Sequence, residues 1–191
     1  MGEAFQKKQI KLTILFHKIT AIVLLFFFLN ISSFAQVTLN AEIEVLRTRY
    51  DKALQKYENE PRKCIPIYEA LIPEFEKKQD WIYYYKALIE GAWATDFGGN
   101  NSEGLQKIEA TIKDYQSREL NNYYRKKLAD AIFTKGIILA NNGRFDEAIS
   151  SYQMAYDHYD LLEKGDVGFA DKKKRGAFCL NNISKQYMDC L

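Results

Sequence analysis

An all-α fold is the prediction, and three observations carry it. From Ala41 onward apolar residues recur at three- and four-residue steps, the period of a helix with one buried face, and no stretch alternates at the period of two that a strand needs. Small residues return at Cys64, Gly104 and Ala148, offsets of 40 and 44, each followed at i+4 and i+7 by residues on the same helix face. Gly98-Gly99 and Asn142-Gly143 stand between consecutive periodic segments, where a helix must end and the chain must turn. Antiparallel helix pairs, stacked in order along the chain, are the architecture that follows.

The first 35 residues stand apart. Lys7, Lys8, Lys11 and Lys18 precede an apolar run from Ile19 to Leu29, and small residues follow at Ser33 and Ala35. That order is the pattern of a secretory signal peptide, with cleavage expected after Ala35. The run is 11 residues long, and a membrane span needs about 20. A signal retained as an anchor is the other reading. With residues 1–35 removed, 23 basic and 24 acidic side chains remain, so the mature chain carries a net charge of about −1. No basic field is left to attract nucleic acid, and no nucleic-acid partner is expected.

The mature chain, 36–191, is read as one helical domain. Ile43, Leu46, Tyr50, Leu54 and Tyr57 form a first helical stripe, broken by Glu58-Asn-Glu-Pro61. A second helix is expected from Arg62 to about Lys78, with Cys64, Tyr68 and Leu71 on one face. Pro66 fits a first turn, whereas Pro73 lies deeper and should bend the helix or loosen its end. The segment Trp81 to Phe97 is apolar on two sides: Leu88, Ala92 and Thr95 on one, Ile82, Ile89, Trp93 and Phe97 on the other. Such a helix lies between neighbours or lines a groove. Ser102 is the expected N-cap of the next helix, which carries Gly104, Ile108 and Thr111 and should run to about Tyr115, with Ser117 to Asn122 a loop or a continuation.

Ala129 to Asp160 is the best-defined unit. Gly136, Ala148 and Ala155 are small where two helices would cross, Tyr152 shares the face of the last two, and Asp146 and Glu147 place negative charge in the second helix's first turn. This stretch resembles a tetratricopeptide repeat. The resemblance implies a right-handed superhelix of stacked helix pairs, with repeat units of about 41–78, 81–116 and 129–162 and a partial unit at 176–191. Lys135 and Asp160 depart from the family pattern, which favours an apolar residue and a proline there, and the spacings of 40 and 44 exceed the family's period of about 34. Beyond Leu162, Gly165, Gly168 and the run Lys172-Lys-Lys-Arg175 read as a solvated loop between repeats, a phosphate patch being the other reading of the basic run, and a last helix is expected from Gly176. Because that helix carries Phe178, Leu180, Ile183, Tyr187 and Leu191 rather than a polar capping face, the chain reads as the front of a longer protein.

No pattern for a catalytic centre, a metal site or a phosphate loop appears, so no enzyme and no cofactor are expected. Cys64, Cys179 and Cys190 are an odd set without disulfide spacing, and Cys64 reads as core. The resemblance implies instead a concave surface lined by the first helix of each pair. The family's groove positions fall on Lys86, Ile89, Trp93, Asp96 and Phe97, then on Asp130, Phe133, Ile137 and Asn141, and finally on Phe178, Asn181 and Lys185. Ile89, Trp93, Phe133 and Ile137 make this an apolar groove in expectation. The implied function is that of an exported scaffold that binds a protein or peptide. The alternative is a periplasmic input region of a longer membrane-anchored signalling protein, with a histidine kinase or helix-turn-helix output.

Overall fold

The computed structural model describes residues 40–118 and 120–189, so the signal-like segment, Cys190 and Leu191 lie outside the described residues. The chain divides into two units, Met1–Glu44 and Val45–Leu191. Of the first, residues 40–44 are described and are helical. The second contains α1 (residues 45–56), a 3-10 turn at Pro61–Cys64, α2 (Ile65–Lys77), α3 (Trp81–Phe97), α4 (Asn101–Ser117), a 3-10 turn at Asn122–Tyr124, α5 (Arg125–Asn141), α6 (Phe145–Asp160), a 3-10 turn at Phe169–Asp171 and α7 (Lys172–Asp189). No strand occurs among the described residues, and no helix there is long and apolar enough to cross a membrane. The all-helical expectation holds.

From α2 onward each helix packs on the next, and α3 also touches α5. Tyr50 joins α1 to this stack. Its fully buried ring lies 4.9 Å from Tyr68 of α2 and meets Tyr83 of α3 edge-on at 5.5 Å. Beside it, Arg47 pairs with Asp80 at 2.8 Å, and Asp80 also accepts from the Tyr83 backbone N–H to cap α3. Gln79 takes a positive φ of 56° to close α2 into that cap. Pro66 stands in the first turn of α2, where its missing N–H costs nothing. Pro73 does not end the helix, which runs on to Lys77 with Phe75 fully buried.

The small residues sit where helices cross. Ala148 and Ala155 are fully buried, and Cys64 is buried with its thiol donating to the Ala53 carbonyl at 3.4 Å. At Gly104 an added β-carbon would come within 2.9 Å of the Asp96 side chain and 3.1 Å of the Ala92 carbonyl oxygen. Gly143, at φ 72°, supplies the left-handed residue between α5 and α6.

Several expected boundaries move. Ser102 is exposed in the first turn of α4, which starts at Asn101 after Asn100, so it is not the N-cap, and α4 continues to Ser117. Helix α5 begins at Arg125, four residues before Ala129, because Asn121 caps a short 3-10 turn ahead of it and Lys126 pairs with Asp130 one turn on. Lys172-Lys-Lys-Arg175 is not a loop but the first turn of α7. Lys172 anchors it by donating to the Asp160 and Leu162 carbonyls and pairing with the Asp160 carboxylate.

Candidate binding surfaces

The residues expected to share one groove go to different places. Ile89 is buried at 7% exposure. Phe133 and Ile137 pack against a cluster of Leu139, Ala148 and Tyr152, with the Phe133 ring 5.4 Å from that of Tyr152. Trp93 tilts against exposed Phe97 at 5.3 Å and faces Leu54, Tyr57 and Pro61, on the side of the first helix pair. Asp96, only 3% exposed, accepts from the amides of Asn101 and Asn141, each at 2.7 Å, and so ties α4 and α5 to α3. Asn141 therefore serves the stack. Phe178, Asn181 and Lys185 lie exposed on α7.

What the structure does bring together from the expected set is Lys86, Ile89, Asp130 and Phe133. They line a pocket of about 180 Å³ among α3, α5 and α7, together with Glu90, Lys126, Lys127, Thr134 and Arg175. Six of those nine side chains are ionisable, so the apolar surface expected here is replaced by a charged one. The sequence concealed this because Arg125-Lys-Lys127 lie ahead of the unit expected from Ala129, and Arg175 lies in a run that reads as a loop. Asp130 is fully engaged: Lys126 stands 2.7 Å away and the Tyr159 hydroxyl donates to it at 2.7 Å. Lys86 pairs with Asp51 at 3.2 Å and lies over the Tyr50 and Tyr83 rings. Burial holds the Lys127 ammonium down to about pKa 8, against the opposing pull of Asp130. Burial likewise raises Glu90, more than Lys86 lowers it.

A second, larger groove opens on the other face of α3. Residues 86, 89 and 90 cluster on one side at 100° per residue, and residues 84, 87, 88, 91 and 92 on the opposite side. The groove measures about 320 Å³, with Ile65, Tyr68 and Ile72 of α2 as one wall and Lys107, Ala110 and Thr111 of α4 as the other. Its floor is made of the small or apolar residues Ala87, Leu88, Gly91 and Ala92 of α3. Polar groups are confined to Glu69, Lys107, Thr111 and Asp114 and the hydroxyls of Tyr68 and Tyr84. The Leu88–Ala92 stripe was the signal for this groove in the sequence. The walls were not, because they come from α2 and α4 and depend on how far apart those helices are held.

No protein-family model, curated protein or solved structure matches the chain.

Proposed function

We propose that the chain is an exported, non-catalytic scaffold whose helix pairs stack as a tetratricopeptide-type superhelix, and that it docks a segment of a partner protein by seating apolar side chains in the groove between α2, α3 and α4. The observation that carries this reading is the groove itself. It is open, about 320 Å³ in volume, floored by small residues and walled mostly by apolar ones, the character of a site that accepts one or two apolar anchors. Charge supports a protein partner over nucleic acid, since 23 basic and 24 acidic residues remain after residue 35. Export rests on the basic, apolar and small order of residues 1–35. Mass spectrometry of the protein from its source cells tests it: a mature N-terminus at Gln36 supports cleavage, and an intact Met1 contradicts it.

Ala110 provides the test of docking. It lines the groove yet is exposed on α4, so Ala110→Glu places a charge in the site at little risk to the fold. Truncation of an apolar anchor at an interface commonly costs about 2 kcal/mol, roughly thirtyfold in affinity. Ala110→Glu is expected to lose the proteins that wild type captures from an extract of the source cells while keeping its melting temperature. Capture equal to wild type by the folded variant would move docking away from this groove.

A further inference from the structure

The charged pocket on the opposite face of α3 has an imbalance that the fold does not use. Four cations line it, Lys86, Lys126, Lys127 and Arg175, against two carboxylates, Glu90 and Asp130. Lys86 and Lys126 are taken by Asp51 and Asp130. Lys127 and Arg175 remain. The Asp130 carboxylate stands 3.9 Å from the Lys127 ammonium, too far for a hydrogen bond, and Arg175 has no ion pair or hydrogen bond among the described residues. The Thr134 hydroxyl also lines the pocket, and it too makes no hydrogen bond among the described residues. Glu90 makes no hydrogen bond or close ion pair among the described residues, and burial raises its carboxyl against the pull of Lys86, Lys127 and Arg175.

Lys127 is 7% exposed, and its nearest carboxylate, Asp130 at 3.9 Å, is already hydrogen-bonded elsewhere, so the ammonium is buried without a hydrogen-bonded counter-ion, which is unfavourable. A bound oxyanion removes that cost and supplies acceptors for three donors at once: the ammonium, the planar guanidinium fork and the hydroxyl. The donors come from two helices, α5 and α7, and α7 contributes only Arg175 of its four-residue basic run, since Lys172 is engaged with Asp160, Lys174 lies over the Phe178 ring and exposed Lys173 lies outside the pocket. We propose that the pocket among α3, α5 and α7 is an oxyanion-binding site in which Lys127, Thr134 and Arg175 hold a carboxylate or phosphate group. This site is distinct from the apolar groove and does not depend on the reading given to it.

Carboxylate from a peptide and free inorganic phosphate share this chemistry, and calorimetric titration of the full chain at low salt separates them. The probes are a short oligoglutamate peptide, an oligoglutamine peptide of equal length and inorganic phosphate. Binding of oligoglutamate assigns a peptide carboxylate, and binding of phosphate alone assigns a small free anion. In either case Lys127→Gln and Arg175→Gln should each weaken the bound probe about tenfold or more, while Lys173→Gln, in the same run but outside the pocket, leaves it unchanged. Thr134→Val, close in shape and without the hydroxyl, should weaken it with helix content preserved, which separates ligand contact from folding. An equal loss in Lys173→Gln would show diffuse charge attraction and overturn the site. So would oligoglutamine binding as well as oligoglutamate, or neither oligoglutamate nor phosphate binding.

Discussion

A β-carbon placed on Gly136 would lie 2.6 Å from Cε1 of Tyr152, closer than packed carbon atoms approach. Tyr152 is 1% exposed and held against Phe133, so its ring cannot move aside freely. Gly136→Ala is therefore expected to lower the melting temperature although alanine favours a helix by about 1 kcal/mol, because overpacking costs about 1–3 kcal/mol. Gly104→Ala should cost more, since the Asp96 backbone nitrogen at 3.0 Å and the Ala92 carbonyl oxygen at 3.1 Å belong to the main chain. Ala148→Leu belongs with them at about 1–3 kcal/mol, while a change at exposed Glu163 does little. Thermal melts of the four variants check the order, and a Gly136→Ala protein as stable as wild type would contradict the crossing.

Asp96 and Asn141 give a second prediction, because they distinguish a ligand surface from a joint. Asn141→Ala leaves one oxygen of a nearly buried carboxylate without its donor, which costs about 1–3 kcal/mol. Were Asn141 part of a recognition surface, the same change would alter binding and leave stability alone. Equilibrium denaturation of Asn141→Ala should show the loss, and an unchanged midpoint would return Asn141 to the list of binding candidates.

The sequence showed the fold wherever a local rule decides it. Gly143 between α5 and α6, the spacing of Ala148, Tyr152 and Ala155, and the buried Cys64 all follow from helix period and steric size, which neighbours in the chain determine. Lys172–Arg175 did not, since a basic run reads as solvated until a partner such as Asp160 is known to stand beside it, and Arg125–Lys127 fell between the expected loop and the unit at Ala129. The surface was less legible than the core for the same reason. Leu88 and Ala92 pointed to the apolar groove, but its walls at Ile72 and Ala110 belong to separate helices. Phe133 and Ile137 looked available for a ligand until α6 and α7 were placed against them.

The tyrosines predict an alkaline limit to stability. Burial raises the phenols of Tyr83 and Tyr152 to about 12, and those of Tyr50, Tyr68, Tyr85 and Tyr159 above that, from an ordinary value of 10. The folded chain thus holds more protons than the unfolded one above pH 10, so the contribution is intact below that pH and is lost as pH rises through the folded values. Lys127, lowered to about 8 from 10.5, works the other way over that interval, and the Cys179 thiol, raised to about 11 from 9, opposes it. Beyond pH 10 six phenols act in one direction. The melting temperature should fall steeply there, together with the appearance of phenolate absorbance, and a flat profile up to pH 12 would contradict the burial of these rings.

The docking groove is tested most directly by hydrogen exchange of the full chain with and without the partner that it captures. Added protection is expected in α2, α3 and α4, centred on residues 65–72, 87–92 and 107–114, with little change in α6. Protection confined to α5, α6 and α7, with those three segments unchanged, would contradict it.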